Sequence, residues 1–325
     1  MNVLVTGGTG YLGRAIVGAL QAAGHGVVVY SRAASQSGLA VRAVDGDVRD
    51  ADALTRAAAP CDAIIHGAAL VAVWRRRARD FDDVNVGGLS NILTAARRAG
   101  IGRVLYTSSF LALPPGGLDH PPAWNDYQRT KASADHVADT AVEQGVPLVR
   151  LYPGIIYGPG PATEGNLVGR MIADHLNGRL PGVVGADRIW SFSFVSDVAA
   201  AHVAALTAGV PGRRYLLGGV NAPQMRVFDI VRALTGRPQP RRLPAWAASG
   251  AAFADELRAS WFGATPVLTT GTLEILLRDW PLGHALATDE LSYAVTPLEA
   301  GVARVVSGLG AAPAAVSAPT SAPAS

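Results

Sequence analysis

The chain has 325 residues, of which 49% are apolar and 16% charged, and a formal net charge of +3. That balance suits a folded enzyme built from a nucleotide-binding domain and a smaller appended part, and it lies far from a disordered composition. So small a charge, with no basic stripe interleaved with aromatics, gives no sign of a nucleic-acid partner, and one cysteine, Cys61, excludes an intrachain disulfide or a cysteine metal cluster. The sequence opens Met-Asn-Val-Leu-Val-Thr-Gly-Gly with no basic stretch ahead of an apolar one, and nowhere holds about 18 consecutive uncharged apolar residues. Neither a secretory leader nor a membrane partner is expected, nor a bound metal, and the reading is of a cytoplasmic protein.

In chain order, short β-branched runs at Val3 to Val5, Val27 to Tyr30, Ala63 to His66, Val104 to Thr107 and Leu148 to Tyr152 are predicted strands buried on both faces. Alanine-rich segments with helical spacing separate them, at Arg14 to Ala23, Asp52 to Ala58, Asn85 to Ala99 and Lys131 to Gln144. This alternation predicts an α/β fold with a doubly wound parallel sheet over residues 1–153. Pro153, Gly154, Gly158, Pro159, Gly160 and Pro161 then break the pattern. Residues 154–310 read as a smaller substrate-binding region interleaved with the sheet, with helices near 166–178, 196–208, 225–235 and 245–260 and strands near 192–195 and 213–217. Residues 311–325 are almost all Ala, Pro, Ser, Val and Thr and are expected to be a disordered tail.

The first strand runs into Thr6-Gly7-Gly8-Thr9-Gly10-Tyr11-Leu12-Gly13 and then a helical pattern. Gly7, Gly10 and Gly13 fit three separate needs: a tight turn, close approach of backbone to a pyrophosphate, and close packing of helix on strand. A diphosphate would sit on the N–H groups at the helix start, with Thr9, Tyr11 and Leu12 beside it. This is the Rossmann arrangement for a nicotinamide dinucleotide. The second strand ends Tyr30-Ser31-Arg32, with no acid before Asp45. Ser31 and Arg32 suit the extra phosphate of NADP(H), so that NADP(H) is favoured and NAD(H) stays open, the plain alternative being a solvated arginine. Asp47 and Val48 follow an apolar run where adenine would lie; Asp47 either accepts from the adenine amino group or caps the helix starting near Asp52. The small residues Ala68 and Ala69, after a strand ending in His66, let the backbone approach a ribose. His66 itself, in an apolar strand end, is not read as catalytic.

Tyr127-Gln128-Arg129-Thr130-Lys131 opens a helix, and a Tyr and a Lys four apart share one face. A free phenol has a pKa near 10. A nearby ammonium, together with the positive ring of an oxidised nicotinamide, is expected to lower it, making Tyr127 a proton shuttle while Lys131 holds a ribose. Ser108 and Ser109, following Thr107 at the carboxyl edge of the sheet, can hold a carbonyl oxygen for Tyr127.

With these motifs the chain resembles the extended short-chain dehydrogenase/reductase family, and within it the dihydroflavonol-reductase-like and hopanoid-associated epimerase-like bacterial members. The resemblance spans nearly all of residues 1–305 and includes Tyr106 to Ser109, Asn85-Val86, Arg150 to Pro159, Asn177 to Gly182 and Phe194 to Ala199. It implies that Ser109 is the catalytic serine, that Thr107 and the backbone from Pro153 to Ile156 flank the nicotinamide, and that Asn85 supports the site. Family members are often dimers; a homodimer or a monomer is expected here. Two departures stand out. Family nucleotide-sugar enzymes usually carry an acid where this chain has Ser31-Arg32, and family dehydratases an Asp-Glu pair where it has Phe110-Leu111.

Phe110, Leu111, Trp124, Tyr157 and Trp190, with Phe192 and Trp74, are candidates for the substrate cavity, although each aromatic taken singly reads more readily as core packing than as ligand contact. Such a lining points to an apolar or aromatic carbonyl or alcohol as the small-molecule partner. Arg75-Arg76-Arg77-Ala78-Arg79 either grips an anionic handle or is a solvated loop, and Trp246, Phe253, Trp261 and Phe262 are lid or core. The expected function is NADP(H)-dependent interconversion of ketone or aldehyde and alcohol, with a nucleotide-sugar epimerase or dehydratase as the alternative and a non-catalytic cofactor sensor as a more distant one.

Overall fold

The computed structural model describes residues 1–115, 118–262 and 265–310; the segment expected to be a tail, 311–325, lies outside them. Apolar alternation sets the first strand, β1 (Asn2–Thr6), which turns Val3 and Val5 to one face and Leu4 to the other. The chain continues through α1 (Tyr11–Ala22), β2 (Gly26–Ser31), β3 (Arg42–Asp45), α2 (Ala51–Ala58), β4 (Ala63–His66), a single turn α3 (Arg79–Phe81), α4 (Gly87–Ala99), β5 (Val104–Thr107), α5 (Asp126–Glu143) and β6 (Leu148–Pro153). The second half contributes β7 (Ile155–Tyr157), α6 (Leu167–Leu176), β8 (Val183–Val184), β9 (Ile189–Phe194), α7 (Val195–Ala205), β10 (Arg214–Leu217) and β11 (Val220–Pro223). It closes with α8 (Gln224–Thr235), β12 (Arg242–Leu243), α9 (Ala245–Phe262), α10 (Thr270–Leu276), α11 (Ala285–Leu291) and α12 (Leu298–Gly308).

Seven parallel strands form the main sheet in the order β10-β6-β5-β4-β1-β2-β3. Strand order reverses at the β1–β4 junction, so a crevice opens there beyond the carboxyl ends of the strands. One face is covered by α1 and α7, which bury Ile16, Val17, Leu20, Val198 and Ala205 against Val3, Val5 and Ile65. The other is covered by α2, α4 and α5 through Leu54, Ile92, Leu93, Ala134 and Ala138. The expected doubly wound Rossmann fold is therefore present.

The second half is woven into this sheet by β10. The strand expected near 192–195 is β9, and it belongs to a separate three-stranded sheet, β11-β9-β7, rather than to the main one. That sheet carries an aromatic core of its own, with Tyr157, Trp190, Phe192, Phe194 and Trp280 packed on α6, α8 and α12. One local irregularity matters for the site. The expected helix from Asn85 begins two residues later, and Asp82–Val86 forms a π-helical turn that aims Asn85 inward.

Candidate active site

The glycine loop is shaped so that no side chain fits. Gly7 has φ +73°, and a Cβ there would lie 2.7 Å from the Ala68 nitrogen; a Cβ on Gly13 would lie 2.0 Å from the Gly7 carbonyl oxygen. Helix α1 thus packs directly on the loop. Its N-cap, Gly10, offers no side-chain cap, and the first turn holds no acid, so its free N–H groups face the crevice with the positive end of the helix dipole. The residues present therefore fit a dinucleotide pyrophosphate. Tyr11, expected beside it, buries its ring against the Gly158–Gly160 loop, and Leu12 packs into the core under the sheet.

Around the crevice, Thr9 Oγ1 donates to Ser31 Oγ at 3.3 Å, joining the glycine loop to the end of β2, where Arg32 is exposed. Asp45, the first acid after β2, is committed to Ser35, which donates to it from both backbone nitrogen and hydroxyl. Asp47 does not cap α2. Asp50 does, accepting from Ala53 N at 2.9 Å, while the Asp47 carboxylate takes Arg49 Nε at 2.9 Å and Nη2 at 2.6 Å. Val48 is buried against Gly88. Gly67 and Ala68 pass close to the glycine loop, with Ala68 N donating to Thr6 Oγ1 at 3.4 Å, and Ala69 follows in the chain, half-buried. His66 lies under them, its ring stacked on Tyr106 and its pKa pushed by burial down to about 3, so it is a neutral structural residue. At the far side Pro153 ends β6 and Ile156 lies in β7.

Helix α5 is held in place by short-range chemistry. Its N-cap Asn125 accepts from Gln128 N at 2.8 Å, and Gln128 Oε1 reaches back to Trp124 N at 3.3 Å, a reciprocal cap. Arg129 grips Asp82 through two 2.7 Å bonds. Asn85 accepts from Leu70 N at 2.7 Å and donates to Thr130 Oγ1 at 3.0 Å, tying the loop after β4 to α5. Lys131 is buried; its Nζ donates to the Thr107 carbonyl at 2.9 Å and to Tyr106 Oη at 3.3 Å. Thr107 is fixed in turn by His202: Nδ1 must donate to the Val198 carbonyl at 2.8 Å, so Nε2 accepts from the Thr107 hydroxyl at 2.9 Å. Ser109 caps the short 3₁₀ turn Phe110–Ala112, accepting from Leu111 N at 3.2 Å, and its hydroxyl also faces the Tyr127 phenol.

The structure thus brings Ser109, Tyr127 and Lys131 to one place, and in the chain without cofactor burial outweighs the ammonium. Burial pushes Tyr127 up to about 12, with the Ser109 hydroxyl pulling the other way. Lys131 does not acidify the phenol because its ammonium is turned onto Thr107 and Tyr106 and is itself lowered by burial to about 8, against the pull of Asp135 one turn along. Without further positive charge nearby, Tyr127 is a protonated acid at neutral pH.

A family model described as the NAD dependent epimerase/dehydratase family matches residues 3–218. The chain belongs to that family. Its relatives include the sterol demethylase protein B of Methylococcus capsulatus, 35% identical over 74% of this chain and 76% of that one. Another is the 2-alkyl-3-oxoalkanoate reductase of Stenotrophomonas maltophilia, 30% identical over 74% and 77%. Among solved structures, that of gox2253 superposes with a TM-score of 0.79 and 27% identity, covering 95% of this chain and 97% of the other. The family binds a nicotinamide cofactor, consistent with the cradle above.

Against this family background the substrate side needs a correction. Tyr157 and Trp190, expected in the cavity wall, are buried with Phe192 in the aromatic core and do not line an open face. Phe110, Trp124 and Tyr127 stand at the rim of that core, partly exposed, with Leu111 buried behind them. The spacing analysis missed the residue that joins them. Trp280 meets Phe110 edge-on at 5.2 Å and Trp124 at 6.3 Å, and Arg278 lies 5.2 Å over the Trp124 ring. No local motif announces Trp280; it arrives through its backbone N–H bonding to the Ile189 carbonyl at 2.7 Å. Trp74 lies apart, in a groove with Arg75, Arg76, Arg77 and Asp80.

Proposed function

We propose that this family member is an NADP(H)-dependent reductase of an apolar or aromatic ketone or aldehyde, and catalyses the reverse oxidation under suitable conditions. The observation that carries the reading is the Tyr127 phenol facing the Ser109 hydroxyl at a rim where Phe110 and Trp124 are partly exposed, with the buried Trp280 behind them. Gly7 to Gly13 and the start of α1 would hold the pyrophosphate, and Lys131, fixed on Thr107, would reach a ribose. A bound nicotinamide supplies or accepts the hydride. Ser109 Oγ orients the substrate oxygen by a hydrogen bond, and Tyr127 Oη gives that oxygen its proton as the carbonyl becomes an alcohol. Positioned proton transfer of this kind contributes roughly 10² to 10⁴ in rate. In the oxidative direction the same atom takes the proton back, which its high pKa disfavours until positive charge is near. The desolvated, aromatic wall suits an apolar carbonyl better than a sugar diphosphate, which needs polar partners for its hydroxyls and phosphates.

The preference for NADP(H) rests on Ser31 and Arg32. Arg32 makes no salt bridge among the described residues, and the nearest following acid, Asp45, is occupied by Ser35. Arg32→Asp should shift preference toward NAD(H) by at least about tenfold, since a bidentate phosphate contact is replaced by repulsion. Equal use of both cofactors by parent and variant would remove that part of the reading. The reaction itself is tested by following NADPH oxidation with a panel of apolar ketones and aldehydes beside UDP- and dTDP-sugars. Turnover of carbonyls is expected. Conversion of a sugar nucleotide with no net cofactor consumption would establish the epimerase reading instead.

A further inference from the structure

Helix α9 is built inside out. Ala248, Ala252 and Ala259 form its buried face, while the large side chains point to solvent: Trp246 is 79% exposed, Phe253 63%, Leu257 38% and Trp261 71%. At about 100° per residue these four fall within an arc of roughly 80°, opposite the alanines. Val267, just past the helix, is 83% exposed. Residues of this size on one stripe form a contiguous apolar surface, which a folded protein ordinarily covers. The side chain of Phe262 lies outside the described set.

A second feature adjoins the end of this stripe. The groove of about 350 Å³ at Trp74, Arg75, Arg76, Arg77 and Asp80 also includes Thr265, three residues after α9 ends. In it, Arg77 pairs with Asp80 at 3.6 Å, and next to it Arg79 pairs with Asp83 at 3.5 Å, while exposed Arg75 and Arg76 have no carboxylate partner among the described residues. Within α9 itself the charges are internally satisfied: Asp255 is bound by Arg258, and Glu256 accepts from Thr270.

We propose that the stripe Trp246–Phe253–Leu257–Trp261, with the Arg75–Arg76 loop near its C-terminal end, is a docking surface for an anionic lipid bilayer. Tryptophans prefer the membrane–water interface, and guanidinium groups beside them pair with lipid phosphates. Among the described residues no helix is long and apolar enough to cross a membrane, so α9 would lie in the interfacial plane. A second copy of this chain is the poorer occupant. A two-fold interface would set one apolar stripe on the other and supply no carboxylate from the stripe for Arg75 and Arg76, which have none among the described residues. The expectation of no membrane partner came from run length alone, and run length cannot see which face of an apolar helix is left open.

The test is sedimentation of the full chain with vesicles of pure phosphatidylcholine or of phosphatidylcholine with phosphatidylglycerol, alongside light scattering for oligomeric state. The protein should sediment with the anionic vesicles, less so as salt rises, and its tryptophan emission should shift to the blue and be quenched by brominated acyl chains. Trp246→Ser with Trp261→Ser should weaken partitioning by about tenfold or more while thermal melting stays unchanged. Arg75→Gln and Arg76→Gln should each weaken it by about fivefold, and only on anionic vesicles. Absence of sedimentation at millimolar lipid would overturn the proposal. So would a dimer that the tryptophan substitutions dissociate while leaving vesicle binding unchanged.

Discussion

The two ends of the sheet's carboxyl edge are built by opposite means. On the dinucleotide side, function is carried by backbone: Gly7, Gly10 and Gly13 clear space, the uncapped α1 N-terminus offers N–H groups, and Ala68 approaches closely. On the side where we place the substrate stand large side chains, Phe110, Trp124 and the buried Trp280, gathered from segments far apart in sequence, and α9 turns its largest residues outward. The first region tolerates almost no change of shape, whereas the second can change its contents while keeping its frame. That contrast predicts where the chain should break.

The largest effect is expected at the backbone end. Gly13→Val places side-chain atoms where even a Cβ meets the Gly7 oxygen, so α1 must move away from the loop. Affinity for NADPH should fall on the order of 10²-fold or more, since the donors no longer converge on the pyrophosphate. Titration calorimetry showing unaltered affinity would dissolve the contrast at its firmest point.

Between the two regions lies the buried histidine beneath Thr107. His202 is lowered by burial to about 4, well below its ordinary value of 6.5. As pH falls through about 6.5 the unfolded chain takes up a proton that the native state refuses, so stability declines until the native imidazole protonates near 4. Compared with His202→Gln, the parent should lose up to about 3 kcal/mol more between pH 7 and pH 4. Denaturant unfolding across that range reads the difference, and parallel curves for the two proteins would contradict it.

A smaller effect is expected at Asn85, which bridges the loop after β4 and helix α5. Asn85→Ala leaves the half-buried Leu70 N–H without its acceptor and removes a donor from the buried Thr130 oxygen, which still donates to Asp126, at a cost of about 1 kcal/mol in stability. Turnover should fall along with it, because the loop that approaches the cofactor is no longer tied to the helix carrying Tyr127.

The same contrast explains how far the sequence could be read. The glycine loop, the alternating strands and the Tyr127–Lys131 pair are encoded at spacings of a few residues, within the reach of helix and turn geometry. Trp280 carries no local mark, since it reaches Phe110 and Trp124 only through the packing of a late segment on β9. Tyr157 and Trp190 looked like cavity residues because an aromatic in a strand has the same pattern whether it faces a core or a ligand. Helix α9 was legible as a helix but not in its orientation, because both its faces are apolar. Four-residue spacing likewise places Lys131 on the same helix face as Tyr127, but only the fold shows that the ammonium is turned onto the Thr107 carbonyl.

The account turns on proton transfer by Tyr127 within a dinucleotide site that does not need it for binding. The direct measurement is Tyr127→Phe, assayed in parallel for NADPH affinity and for single-turnover reduction of a ketone identified with the parent enzyme. Affinity should change by no more than about twofold, and the rate should fall by roughly 10² to 10⁴. A variant that reduces the ketone at the parental rate would show that another group supplies the proton.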